Sequence, residues 1–389
     1  MTAICTISSS NYFAQAKTLL HSIASLHPDC DLYYLLADEP SNEIPSEKWF
    51  SCVLLEELSI PNLQSMTFVY EITELNTAVK PFLLSFLLKK GYQKVIYLDP
   101  DILVYGRLDV ALNALDANSI ALTPHGLHPA PAPTSFLDKV QWEQNMTYTG
   151  MFNLGFIGIS NTPETFEFLE WWKARCQYLC FLEPNLGIFV DQKWAELSLV
   201  FWKNVYIVRD PGYNVSIWNF HERVRDNRLL GERENLTFFH YSSIEIKNPD
   251  LISKHDKSLG FEHYPMLARL FAEYRKSVME NGYDRYSPIP YAFDHFANGQ
   301  KIDLLERRLY AMVADQYPHD PFTDTRKAFY RNARNCASLV KMKPPNNIVG
   351  IASKGAYWLF RLLGPRRYRE LMGFLGKTVH LRAHTFLLR

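Results

Sequence analysis

Apolar and polar positions alternate in a way that divides the chain into a first part of strands and helices and a later part of helices alone. Ala3 to Ile7, Asp31 to Leu36 and Cys52 to Leu55 are short apolar runs that predict three strands. Between the first two, Ala16, Leu19, Leu20 and Ile23 recur at helical spacing behind the polar turn Ser8-Ser9-Ser10-Asn11, which is rich in N-cap residues. Thr77 to Lys90 predicts an amphipathic helix carrying Val79, Phe82, Leu83, Phe86 and Leu87. Val95 to Leu98 follows as an apolar run of the kind buried on both faces of a parallel sheet. Tyr148 to Ile159 reads as a strand with three glycines, and Gly in a strand marks close approach of a ligand or another backbone. Helices are predicted over Thr165 to Leu182 and Gln192 to Phe201, and strands at Val205 to Val208 and Phe238 to Tyr241. From about Asp256 only helical patterns remain, as in Leu267 to Val278 and Ile302 to Val313. The pattern implies an α/β domain over residues 1–255, a helical extension over 256–340 and a tail over 341–389.

The strand at Val95 ends on Asp99-Pro100-Asp101. Residues two apart in an extended chain point the same way, so the two carboxylates converge at the C-terminal edge of the sheet, where open α/β sheets bind ligands. Pro100 has no amide proton and stops the pairing there. Two like charges ~4 Å apart repel by roughly 4 kcal/mol at a surface-like dielectric. A solvated turn avoids that cost, and a hard divalent cation removes it; Mg²⁺ or Mn²⁺ takes one or two carboxylates plus substrate phosphates. Lys80, near the start of its helix, can meet a phosphate or face water. Tyr213-Asn214-Val215-Ser216-Ile217-Trp218-Asn219 suits sugar binding by hydrogen bonds and stacking, or an aromatic loop under the core. Ala130-Pro131-Ala132-Pro133, after His125 and His128, reads as a stiff loop over a substrate.

Composition narrows the partners. The 389 residues are 47% apolar, enough for an ample core, and 41 basic residues balance 41 acidic ones, which points to no nucleic acid. The balance is uneven: Lys341 to Arg389 holds ten Lys/Arg and one Glu, net +9, leaving −9 on the rest. Asn347 to Leu363 places Ile348, Ile351, Trp358, Leu359, Leu362 and Leu363 on one stripe with Lys354 and Arg361 beside it. An ordinary docked helix reads this way, and so does a helix lying in a membrane interface, which the basic residues favour. The expected partner of residues 341–389 is an anionic membrane surface. The N-terminus has no signal-peptide pattern, no run reaches the ~18 apolar residues of a spanning helix, and the six cysteines are scattered. The expected location is cytoplasmic or peripheral on the inner face of the membrane.

Asp99-Pro100-Asp101 after an apolar strand resembles the Asp-x-Asp motif of GT-A glycosyltransferases. With Asn153 to Gly155, Asp191-Gln192, and His240 followed by Lys247, the chain resembles glycosyltransferase family 8 and its bacterial relatives over residues 1 to about 250. Two blocks depart from the family pattern: His240-Tyr241-Ser242-Ser243 stands for His-Phe-x-Gly, and Lys247-Asn248-Pro249 for Lys-Pro-Trp. The family's acidic residue beside the base is here Ser9 or Ser10. The resemblance implies a GT-A fold, a Rossmann-like mixed sheet flanked by helices with a C-terminal helical extension. It implies transfer of a sugar, with retention, from a nucleotide-diphosphate sugar (a UDP-sugar above others) to a saccharide or lipid-linked acceptor in cell-surface polysaccharide or glycan synthesis. Asp99, Asp101 and His240 would hold Mn²⁺ (or Mg²⁺). Thr6, Ser9, Tyr12, Lys80, Asp99, Asn153, Gly155 and Lys247 would contact the donor, Tyr12 stacking on the base. Gln192 would lie beside the anomeric carbon and Asp191 would bind donor hydroxyls. Alternatives are an inverting enzyme with Asp191 as general base, and a non-catalytic carbohydrate-binding protein on the same scaffold.

Overall fold

The computed structural model describes residues 1–45, 47–129, 132–134, 141–223, 236–254, 260–262, 265–339 and 347–378. They form two compact units, one of residues 1–63 and 72–292, the other of residues 64–71 and 293–389.

The first unit is built on a seven-stranded mixed sheet. In chain order its strands are β1 (Thr2–Ser8), β2 (Asp31–Leu36), β3 (Ser51–Leu54), β4 (Lys94–Leu98), β6 (Ile120–Pro124), β7 (Phe152–Ser160) and β10 (Val205–Ile207). Two small ladders add β5 (Ile102–Val104) with β11 (Phe238–His240), and β8 (Leu182–Glu183) with β9 (Ile188–Phe189). The order across the sheet is β10-β6-β7-β4-β1-β2-β3. Strand β4 runs parallel to β1 and antiparallel to β7, so the expected burial between two neighbours holds while one of those neighbours is reversed. Val95 to Leu98 have no exposed surface beyond 2%.

Helix α1 (Phe13–Leu26) lays Ala16, Leu19, Leu20 and Ile23 on this sheet, all fully buried. The helix read over Thr77 to Lys90 is broken in two. Pro81, lacking an N–H and clashing with the carbonyl four residues back, starts a new helix instead, α2 (Lys80–Lys89). Helix α3 (Pro163–Leu179) likewise has Pro at its first turn, with Thr162 Oγ1 accepting from the Thr165 N–H at 3.2 Å. Gln192 to Phe201 folds as two single turns, the first being α4 (Gln192–Ala195). Helix α5 (Pro265–Glu280) buries Leu267, Phe271, Tyr274 and Val278 and packs with α1 in the first unit. Residues 265–292 therefore belong with the α/β part, although their pattern is wholly helical. The boundaries read at 255/256 and 340/341 both fall outside the described residues.

The second unit gathers Phe296, Tyr310, Phe322 and Phe329 around Phe68 at 4.8–6.0 Å between ring centroids. Its helices are α6 (Leu304–Ala311), α7 (Arg326–Leu339) and α8 (Asn347–Thr378). Asp303 caps α6 by accepting from the Leu305 N–H at 2.9 Å, and Glu306 answers by accepting from the Asp303 N–H at 2.8 Å. Buried Arg307 donates to the carbonyls of Phe68 (2.8 Å), Tyr70 (3.0 Å) and Phe293 (2.7 Å), which ties residues 64–71 into this unit. Helix α8 breaks at Gly364, whose φ of 75° precedes Pro365, so the stripe read over Asn347 to Leu363 is a helix of its own. Among the described residues no helix is long and apolar enough to cross a membrane.

Candidate active site

The site forms where β4, β7 and the β5–β11 ladder meet. The Asp99 N–H donates to Gly155 O at 2.8 Å, which carries the β4–β7 pairing past the last strand residue. After Pro100 the chain pairs again, with Ile102 opposite His240 and the Tyr241 N–H on Asp101 O at 2.8 Å. This register sets an imidazole against the two acids: His240 Nε2 lies 3.1 Å from Asp101 Oδ1 and 3.8 Å from Asp99 Oδ2.

A chain of hydrogen bonds fixes that ring. The Gly155 N–H donates to Asn153 Oδ1 at 3.0 Å. Asn214 Nδ2 then donates to the same oxygen at 3.0 Å and to Thr123 Oγ1 at 2.8 Å, which turns Asn214 Oδ1 toward His240 Nδ1 at 3.2 Å. An amide oxygen only accepts, so Nδ1 carries a proton and Nε2 is the nitrogen that faces the carboxylates. Two carboxylate oxygens and a ring nitrogen brought this close need a positive centre between them. Burial opposes charging His240, yet Asp101 and Asp99 outweigh it and raise the imidazole's pKa. The three ligand atoms lie within 4.8 Å of one another and match the mixed O/N donor set of a divalent cation, with nitrogen favouring Mn²⁺ over Mg²⁺.

Gly155 makes room for the ring. A Cβ there would fall 2.5 Å from His240 Cε1 and 2.7 Å from Asn153 Oδ1. Gly155→Ala is expected to displace both side chains, costing about 1–3 kcal/mol in stability and about ten- to a hundredfold in Mn²⁺ affinity. Titration of bound Mn²⁺ alongside urea unfolding measures the two separately.

Lys80 does not face water. It is 1% exposed and pairs with Asp191 Oδ2 at 2.7 Å, lies 3.9 Å from Asp99 Oδ1, and donates to Leu154 O at 2.8 Å. Its ammonium also sits 4.4 Å from the centroid of the Tyr97 ring, and the Tyr97 hydroxyl donates to Asp99 Oδ1 at 2.6 Å. Burial works against the Lys80 charge, but Asp191 and Asp99 hold its pKa above the ordinary lysine value. Asp191, 1% exposed, is raised by burial in spite of Lys80. Gln192 is held at both ends, Oε1 accepting from the Leu154 N–H at 3.1 Å and Nε2 donating to Thr149 O at 2.8 Å. Asp99, Asp101, His240, Lys80, Asp191, Gln192, Asn153 and Gly155 thus form one connected group.

The other expected site residues are placed differently. Thr6, within β1, is fully buried and its Oγ1 has no hydrogen-bond partner among the described residues. Ser9 is buried, its hydroxyl donating to Asn11 Oδ1 at 2.7 Å. Burial raises the Tyr12 hydroxyl's pKa, and the charges of Asp101, Tyr283 and Asp99 raise it further. Lys247 is not brought to the cluster: it is exposed and pairs with Asp284 at 2.7 Å, 5.8 Å from the centroid of the Tyr283 ring.

Tyr97 and Asp38 carry no site expectation in the sequence, and Asn214 carries one only as part of the stretch suited to sugar binding. Tyr97 shares the two-residue period of Asp99 and Asp101, so that signal was present. Asn214 has a φ of 54°, a conformation Asn tolerates better than most residues, but nothing in its local sequence pairs it with His240. Asp38, just past β2, accepts from the N–H groups of Ser10 (3.2 Å), Glu39 (3.1 Å) and Ala292 (3.0 Å) and puts an acid at the turn after β1, where only serines were legible.

No family model matches the chain. Two uncharacterized proteins of Bacillus subtilis strain 168 are similar to it, both 26% identical. YfnF matches over 253 residues, 63% of this chain and 82% of its own length. YfnD matches over 242 residues, 59% of this chain and 74% of its own. Solved structures similar to it include the galactosyltransferase LgtC in complex with donor and acceptor sugar analogs (16% identity, TM-score 0.44, 74% of this chain and 97% of that one). The bifunctional glycosyltransferase WbbM (16%, 0.44, 73% and 51%) and the glycosyltransferase GlyE of Streptococcus pneumoniae TIGR4 (16%, 0.41, 76% and 66%) are also among them.

A second group, His27, Asp29 and Cys30, has ligand spacing but not ligand chemistry. His27 Nε2 accepts the Leu108 N–H at 3.0 Å, so in the neutral ring Nδ1 holds the proton and neither nitrogen is free to ligate. Nearer the main site, His125 Nδ1 donates to Gly150 O at 2.7 Å and its ring meets Trp218 edge-on. Burial pushes the His125 pKa down to about 4. Because the folded value lies below the unfolded one, this neutral imidazole stabilises fully above pH 6.5 and the contribution decays as pH falls toward 4. His125→Gln, which can keep the bond to Gly150 O, is expected to remove about 3 kcal/mol of that pH dependence. Urea unfolding at several pH values measures the slope.

Proposed function

We propose that the protein is a metal-dependent GT-A glycosyltransferase that moves a sugar from a nucleotide-diphosphate sugar to a saccharide or lipid-linked acceptor in cell-surface polysaccharide or glycan synthesis. One observation carries the reading: two acids and an imidazole with a preset tautomer converge at the carboxyl edge of a mixed α/β sheet. Asp99, Asp101 and His240 would hold Mn²⁺ or Mg²⁺. When bound, such an ion supplies positive charge to the departing diphosphate.

The chain's own residues take the remaining roles. Lys80 keeps Asp191 ionised and fixed, so that Asp191 can accept hydrogen bonds from donor sugar hydroxyls. Gln192, immobilised by Leu154 and Thr149, presents its amide beside the anomeric carbon. Thr6 Oγ1, buried and without a hydrogen-bond partner among the described residues, and Ser9, at the turn after β1, would face the nucleoside, with Tyr12 on the base. Asn153 and Gly155 line the sugar-phosphate side. Lys247 would reach the diphosphate only by leaving Asp284. With Asp191 engaged by Lys80, a general base is poorly provided, which favours retention over inversion; the acceptor proton would then pass to the leaving phosphate. The unit of residues 1–63 and 72–292 would carry the catalysis, and residues 341–389 a peripheral contact with the anionic inner face of the cell membrane. A screen of nucleotide sugars with Mn²⁺, read by thermal shift and by release of nucleoside diphosphate, tests the proposal. Stabilisation by one donor with its turnover supports it. Binding without turnover would favour the non-catalytic reading, and an anomerically inverted product would move the general-base role to Asp191.

A further inference from the structure

The second unit holds a groove of about 830 Å³ between α6, α7 and α8, within the size range of small-ligand pockets. Its wall is largely apolar, with Leu309, Val313, Ala333, Ala337 and Phe360 along it. Four cations line it as well, Lys327, Arg331, Arg334 and Arg361, and no carboxylate does so among the described residues. Arg334 leans on Tyr357, Nη2 lying 3.4 Å from the hydroxyl, and Arg361 sits 5.8 Å from the Trp358 ring centroid. Beside the groove Trp358 is 67% exposed and Leu362 81%.

An apolar trough with a one-signed rim selects a ligand that joins an alkyl chain to an anion. The low-dielectric wall strengthens the attraction of the four cations for that anion. An acidic peptide fits poorly, because apart from the cations the groove offers side-chain hydrogen bonding, among the described residues, only through Tyr330, Tyr357 and Tyr368, which would leave peptide groups unsatisfied. The chain's own C-terminal residues 379–389, with Arg382 and Arg389 and no acid, carry the wrong charge. Exposed Trp and Leu next to Arg are the groups expected where protein meets a lipid headgroup layer.

We infer that this groove takes the hydrocarbon chain of a membrane lipid phosphate, with the phosphate held by Lys327, Arg331 and Arg334. The inference rests on the proposed membrane contact of the C-terminal segment and is independent of the donor site.

Calorimetric titration of the full chain with dodecyl phosphate, kept below its micelle concentration, tests it. One saturable site per chain is expected, with inorganic phosphate and a neutral dodecyl glycoside each at least about tenfold weaker. Arg331→Glu/Arg334→Glu changes two exposed side chains and is expected to weaken dodecyl phosphate by at least about tenfold. Ala337→Trp fills the trough and is expected to abolish the binding. Equal binding of the neutral glycoside, or dodecyl phosphate affinity that survives both variants, overturns the inference. Flotation with phosphatidylcholine vesicles, with and without phosphatidic acid, reads the membrane contact separately. A double variant that still floats with anionic vesicles but has lost dodecyl phosphate supports the groove. A chain that binds dodecyl phosphate and floats with neither vesicle keeps the groove and removes the membrane contact.

Discussion

Asp101→Asn is expected to lower Mn²⁺-dependent turnover of the nucleotide sugar by roughly a thousandfold, ~4 kcal/mol of lost transition-state stabilisation. The substitution is nearly isosteric. Asp101 O still accepts the Tyr241 N–H at 2.8 Å, so the β5–β11 ladder and the fold stay in place. What disappears is one of the two negative charges facing His240 Nε2. A carboxamide oxygen is a weaker ligand for a hard cation than a carboxylate. Single-turnover kinetics at saturating donor separate this loss from a change in donor affinity. A variant that keeps more than about a tenth of the rate would mean that the charge is not used.

Lys80→Met is expected to destabilise the first unit by about 3–5 kcal/mol, the cost of leaving a buried carboxylate without its partner. Asp191 is 1% exposed, and the Lys80 ammonium is its counter-ion at 2.7 Å. The double change Lys80→Met/Asp191→Leu is expected to recover more than half of the loss, since an apolar pair of similar volume often replaces a buried ion pair without net cost. Trp172 Nε1 donates to the Asp191 carbonyl, a backbone contact that the double variant retains. Urea unfolding gives the stabilities, and a double variant as unstable as the single one would count against the ion-pair account. The same pair divides structure from chemistry: the double variant should be folded and inactive if Asp191 contacts the donor, and folded and active if the pair only fills the core.

The sheet edge was legible because one pattern states it twice. The run Val95 to Leu98 marks a buried strand, and Pro100 stops its pairing between two acids of the same phase. The approach of His240 was not legible from periodicity. It depends on the pairing of β11, which falls inside the strand read at Phe238 to Tyr241, with β5, a three-residue strand that nothing local marks as its partner, and it entered through family resemblance alone. Lys80 shows the limit of local reading: an isolated Lys on a helix is ordinarily solvated, and only the fold brings Asp191, 111 residues later, against it. Lys247 shows the reverse, a residue expected at the diphosphate whose nearest charge is instead Asp284. The first unit runs on past residue 255 because α5, in sequence like any amphipathic helix, packs with α1 from near the opposite end of the chain.

The central claim is that Asp99, Asp101 and His240 hold a divalent cation that a nucleoside diphosphate also contacts. Electron paramagnetic resonance of Mn²⁺ titrated into the protein, with and without UDP, tests it most directly. One tight Mn²⁺ per chain, bound more tightly with UDP present and lost in Asp99→Asn/Asp101→Asn, is the predicted result. Mn²⁺ that binds equally well to that double variant, or with no response to any nucleoside diphosphate, would contradict it.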